Sequence, residues 1–92
     1  MGLSKSKVVD ASTAISAKAA RIFGVSITGG SDPATVFLTD GANSAATQKT
    51  ATLSVGTGVS DHWTFPNGIQ CATGIYAEIS GTTPDVAVEY ED

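Results

Sequence analysis

Ninety-two residues make one domain, near the lower end of the size that folds without disulfide or metal staples. A net charge of −4 with only five Lys and Arg excludes the basic surface that displaces counterions in nonspecific nucleic-acid binding. No apolar run approaches the ~18 residues of a membrane helix, and the lone Cys71 excludes an internal disulfide framework.

Charge is unevenly placed along the chain. Residues 1–49 hold Lys5, Lys7, Lys18, Arg21 and Lys49 against Asp10, Asp32 and Asp40, a net of +2. Residues 50–92 hold no Lys or Arg, but carry Asp61, Glu78, Asp85, Glu89, Glu91 and Asp92, a net of −6. Such opposite ends suit a basic N-terminal arm laid on an acidic neighbour, or simply a loose basic arm and a solvated acidic tail.

Residues 1–9 read as a flexible arm, detachable without loss of the fold, and residues 10–92 as the folded domain. The first apolar run is too short for a secretory signal. Gly2 and Ser6 match the N-myristoylation pattern, a cheap match among small residues. Residues 7–17 are ambiguous. Ile15, Ala19 and Ile22 have helical spacing behind a possible Asp10 cap, yet Val8, Val9, Thr13 and Ile15 suit a first strand turning at Lys18-Ala19-Ala20. The strand reading is preferred, because an edge strand would complete the sheet that holds residues 21–27.

The stretch from Arg21 to Gly41 sets the pattern for the rest of the chain. Two β-branched, apolar runs flank Gly29-Gly30-Ser31-Asp32-Pro33 and close at Asp40-Gly41. Strict alternation puts Phe23, Val25 and Ile27 on one face with Ile22, Gly24 and Ser26 opposite; Val36 and Leu38 share a face and Phe37 opposes them. A helix would be broken by the insert, so two strands and a reversal are predicted. Ala42 to Gln48 is a small polar loop. Ala51, Leu53 and Val55 then alternate with Thr50, Thr52 and Ser54, as in a half-buried strand. After Gly56-Thr57-Gly58, His62 and Thr64 fall on one side, and Trp63 and Phe65 on the other. Pro66-Asn67-Gly68 is a strong turn signal, and residues 69–71 form a short strand or bulge. Residues 75–79 form the next strand, and beyond Gly81-Thr82-Thr83-Pro84-Asp85 the residues Val86, Val88 and Tyr90 alternate with Ala87, Glu89 and Glu91. Seven or eight short strands at about ten-residue intervals predict an all-β fold, a single antiparallel β-sandwich of which the jelly roll is one form. Strand order is not legible in this pattern.

Reactive constellations are scarce. Ser60-Asp61-His62 holds the letters of a hydrolase triad, but consecutive strand residues point to opposite faces and cannot line up. Around Ser26, Thr28 stands where a nucleophile elbow needs its second glycine. His62 and Cys71 alone do not make a zinc site. Asp40-Gly41-Ala42-Asn43 lacks the ligand ladder of a calcium loop, and Gly56-Thr57-Gly58 opens no helix that would cradle a phosphate. No catalytic, metal or cofactor site is predicted. Trp63, with His62 and Asn67 near it in sequence, is a candidate sugar-stacking platform, although a lone strand Trp more often fills a core or anchors an interface.

The order of these runs carries a likeness. Asp10 to Ser16, Arg21 to Ile27 and Thr35 to Gly41 in the first half, then Phe65-Pro66-Asn67-Gly68-Ile69, Thr73-Gly74-Ile75-Tyr76-Ala77 and Val86-Ala87-Val88-Glu89-Tyr90 in the second, resemble the small β-sandwich virion structural proteins of tailed bacteriophages. Ser60-Asp61-His62-Trp63 is bulkier and more polar than that pattern, leaving room for an added local contact. The resemblance implies a non-catalytic capsid decoration, or cement, protein on the virion surface, made in a bacterial host's cytoplasm. Its partners would be the major capsid protein and copies of itself, as in a homotrimer, with no nucleic acid, membrane or cofactor. A tail or head-to-tail connector subunit and a carbohydrate-binding virion module are the alternatives. Candidate interface residues are Lys5, Lys7, Trp63, Glu89, Tyr90 and Glu91.

Overall fold

The computed structural model describes residues 5–45 and 49–92. Gly2 of the acylation pattern and residues 46–48 of the polar loop lie outside them. Eight strands run in chain order: β1 (Lys5–Val9), β2 (Thr13–Ser16), β3 (Ala20–Thr28), β4 (Ala34–Asp40), β5 (Lys49–Val55), β6 (Ser60–Cys71), β7 (Ile75–Ser80) and β8 (Asp85–Glu91). They form two four-stranded antiparallel sheets, ordered β1-β8-β3-β6 and β2-β7-β4-β5. The pairings nest: β4 with β5, β3 with β6, β2 with β7 and β1 with β8. A long hairpin rolled so that successive pairs alternate between two sheets gives this order, which is the jelly-roll arrangement of the β-sandwich.

Period-two burial builds the core. Val36 and Leu38 of β4, Ala51 and Val55 of β5, and Val86, Val88 and Tyr90 of β8 all face inward, as their alternation predicts. Burying each Val, Leu or Ile contributes about 1.5–3 kcal/mol before conformational entropy is subtracted. The exposed surface of 4940 Å² is ordinary for a compact monomer of 9.3 kDa.

Four features depart from the sequence reading. In β3, register slips between Ile22 and Gly24 against both neighbours. That bulge reverses the phase, so Ile22 joins Val25 and Ile27 in the core while Phe23 is left half-buried. Pro66-Asn67-Gly68 does not reverse the chain. Thr64 pairs with Gly24 and Ile69 with Ile22, so both flanks belong to β6 and the insert is a wide excursion in an edge strand, where a proline without N–H is tolerated. Gly68 takes φ +76° there, with its open side filled by the Arg21 stem.

The ambiguous residues before β3 make two strands, not one, and the two lie in different sheets. Ser12 fixes the step between them, accepting from the Ile79 N–H at 2.8 Å. Finally, residues 5–9 of the expected arm are strand β1, laid on β8 of the same chain, with Lys5 opposite Tyr90 and Val9 opposite Val86. Deleting residues 1–9 would therefore strip an edge strand from its sheet instead of trimming a loose tail.

The corner between β6 and β7 leaves no room for a side chain at Gly74. A methyl group on Gly74 would sit 2.5 Å from the Ser16 carbonyl oxygen and 3.0 Å from that of Gly41, both backbone atoms that cannot rotate away. Gly74→Ala is expected to cost about 2 kcal/mol and to lower the melting temperature by roughly 10 °C. Gly56→Ala, whose methyl meets only Val59 Cγ2 at 3.6 Å, should cost less than half as much; equal losses in calorimetry would refute this account of the corner.

Candidate interface at the sheet edges

Side chains that the sequence singles out for chemistry are occupied with architecture. Asp40, at the end of β4, accepts from the Thr73 N–H at 2.9 Å and from the Ala72 N–H at 3.1 Å. The Gly41 N–H donates to the Gly74 carbonyl at 3.1 Å. Together they clamp the corner where the chain passes from the sheet of β6 to the sheet of β7. Hydrogen bonding to Thr73, and then to Ala72, holds the Asp40 carboxyl below the usual carboxylate range. Cys71, beside this corner, is fully buried; desolvation, reinforced by the charge of Asp40, pushes its thiol up to about 11.

The residues of the apparent triad are separate. Ser60 Oγ shares a hydrogen bond with Thr28 Oγ1 at 2.8 Å, and the Asp61 carboxylate accepts from the His62 backbone N–H at 2.8 Å. Among the described residues no group of three or more His, Cys, Asp or Glu is placed to hold a metal ion.

Six candidate interface residues were expected, and they divide between the two edges of one sheet. At the β1–β8 edge, Lys5 Nζ meets Asp92 Oδ1 at 2.5 Å, and Ser16 Oγ donates to Asp92 Oδ2 at 3.0 Å. These contacts raise the Lys5 ammonium and lower the Asp92 carboxyl from their ordinary values. Lys7 Nζ donates to the Ala14 carbonyl at 3.3 Å, and Val8 is 68% exposed. Glu89 is exposed opposite Ser6, whereas Tyr90 is buried with the core.

Trp63 lies at the opposite edge, on β6. Its register partner is Val25 and that of Asp61 is Ile27, so both project from the core-facing side of the sheet. The second sheet does not cover them there: Asp61 is exposed and Trp63 is 50% exposed. The Trp63 ring leans on half-buried Phe65, with centroids 5.1 Å apart. His62, aligned with Ser26, is on the other face, and the Asn67 carbonyl accepts from Arg21 at 3.3 Å. The expected Trp63–His62–Asn67 platform is therefore not assembled.

Sequence reasoning passed over two further features. Val8 and Val59 are exposed apolar residues beside the two edges, and only their edge position makes them notable. A shallow cleft of about 360 Å³ lies between Arg21, Phe23, Gln70 and Glu91. Its guanidinium already donates to Gln70 Oε1 at 3.0 Å and to Asn67, and no local motif marks it.

Two measurements check this electrostatic reading. Asp40 and Asp92 have folded-state pKa values below their unfolded ones, so their contribution is present above about pH 4 and is lost as pH falls through the lowered values. Lys5, raised, loses its share only above about pH 10. Melting temperature should hold between about pH 5 and 7 and fall below about pH 4, with a shallower fall in Asp40→Asn; parallel curves for the two proteins would contradict the clamp. Cys71 should resist iodoacetamide in the native protein and alkylate only on unfolding, so rapid native labelling would place the thiol at the surface.

No protein-family model, curated protein or solved structure matches this chain.

Proposed function

We propose that this chain is a non-catalytic structural protein of a tailed-phage virion, and specifically a decoration protein that binds the major capsid protein shell. The observation that carries the reading is the division of surface roles. Hydroxyl and carboxyl groups of Ser12, Asp40, Thr39 and Thr50 tie backbone at the corners and within the ladders of β4, while exposed apolar and charged residues are laid along the edges of a sheet. That is a surface suited to adhesion. The jelly-roll order adds support by analogy, since capsid components commonly use it, although the same fold hosts lectins. The sequence likeness to small phage virion proteins points the same way.

In this reading the protein sits on the capsid surface as an oligomer, contacts shell and self, and needs no cofactor. Cryo-electron microscopy and quantitative proteomics of particles that carry the chain test it. Hundreds of copies in a lattice on the head are the expected result. A dozen or fewer copies confined to the neck or tail would replace it with a connector or tail subunit. Half-exposed Trp63 favours one other reading, a glycan-stacking virion module. Glycan-array binding that disappears in Trp63→Ala would support that role; silence on the array leaves decoration in place.

A further inference from the structure

We propose that copies of this chain join edge to edge, β1 of one copy pairing antiparallel with the Val59–Trp63 stretch that opens β6 in the next, so that the β1-β8-β3-β6 sheet runs on from copy to copy. The occupant of each edge is thus a second copy of the same chain. The inference deepens the structural-protein reading by naming the self-contact, and three independent features of the edges support it.

Direction comes first. Strands β1, β8, β3 and β6 alternate in direction, so an even-stranded sheet ends on oppositely directed edges. A copy added by translation therefore meets its neighbour in an antiparallel ladder. Both stretches are five residues long, and the Pro66–Gly68 excursion ends the straight part of the β6 edge.

Backbone phase comes second. Gly29 N–H donates to the Val59 carbonyl at 2.9 Å, which sets the residues of β6 that face β3. Alternation then turns the N–H and C=O groups of Ser60, His62 and Thr64 outward. The His62 N–H, which donates to the Asp61 carboxylate in the single chain, is handed to the neighbour when Asp61 turns to Lys7. Carried across β3 and β8 through their registers, the same alternation turns Ser6 and Val8 of β1 outward.

Side-chain face comes third, and it selects the register. Lys5, Lys7 and Val9 align with inward-facing Tyr90, Val88 and Val86, and so share a face with Asp61 and Trp63. Pairing outward groups with outward groups, and core side with core side, allows Lys7 opposite Asp61. That register also sets Lys5 against Trp63, Val9 against Val59, Ser6 against His62 and Val8 against Ser60. Opposite charges meet, the stem of Lys5 lies beside an indole, and two valines meet. A shift by two residues one way would put Val9 against Asp61 and forfeit the ion pair; the other way would put Lys5 there, whose ammonium Asp92 already holds. Lysines on a sheet edge ordinarily discourage pairing; here Asp92 holds Lys5, and a carboxylate for Lys7 lies on the other edge of the same sheet. Such a contact is heterologous, so it closes into a ring or continues as a row.

Charge reversal tests it in solution without any particle. Sedimentation velocity from about 10 µM to about 1 mM, a range suited to a weak five-residue contact, should show concentration-dependent association that weakens with salt. Lys7→Glu and Asp61→Lys should each raise the dissociation constant at least tenfold while keeping the parent circular dichroism. An equimolar mixture of the two variants should associate again, because each then offers the complement of the other, and the double variant should recover on its own. A protein monomeric throughout this range, or a mixture that stays monomeric, would overturn the edge contact. Decoration of particles by such a monomer would leave the capsid-binding reading standing; an edge-joined oligomer found on no capsid would sink that reading and keep this one.

Discussion

Ile22, Ile27, Val86 and Val88 of one sheet close against Val36, Leu38, Ile75 and Ala77 of the other, each at most 1% exposed. A short chain has few such residues, and they fall on the two middle strands of each sheet. Face-to-face burial of that small set must offset the conformational entropy of the whole domain. The outer strands contribute less. On β1 only Val9 reaches the core cluster, and the Ser60–Thr64 half of β6 is exposed on both faces. A sandwich that is thick in the middle and thin at its margins is the consequence, and exposed Val8, Val59 and Trp63 lie at those margins.

Passing the chain back and forth between two sheets creates corners at which ladder hydrogen bonds stop. Backbone groups there need other partners. Small polar side chains supply them, Ser12 to Ile79 and Asp40 to Ala72 and Thr73, and others act within the ladders of β4, Thr39 to Tyr76 and, at a slip in register, Thr50 to Leu38. Among the described residues no buried side-chain nitrogen or oxygen lacks a hydrogen-bond partner. The abundance of Ser, Thr and Asp thus has an architectural cause. It also explains why motif-like strings such as Ser60-Asp61-His62 carry no assembled chemistry, since their groups are engaged locally.

Edge exposure connects fold to proposed role. Opposite margins of one sheet carry lysines and a carboxylate respectively, with an exposed valine beside each and the tryptophan at the acidic one. Neither margin is a pocket. The proposed adhesion to copies and to a larger shell would use such surfaces directly, because strand edges offer backbone donors and acceptors in a fixed direction.

Alternation alone was enough to identify β5 and β8, each with a wetter and a drier face, and the inward Val36 and Leu38 of β4; it did not mark Thr39, which is buried beside a slip in register after Leu38. Asp40-Gly41 and Thr73-Gly74 were legible as punctuation, but their mutual contact was not, being 32 and 33 residues distant along the chain. The bulge at Phe23 left no local mark: Ile22 and Phe23 are both apolar, so either phase satisfies the pattern until two neighbouring strands select one. Pro66-Asn67-Gly68 spells a reversal equally well whether the chain turns back or bulges onward, and only β3 lying beside both flanks decides. Lys5 to Val9 looked like a loose arm because its ladder partner is β8, at the far end of the chain. Composition and period determined that this protein is sheet; which strands lie outermost, and so which residues are left uncovered, is a property of nonlocal pairing that no single stretch contains.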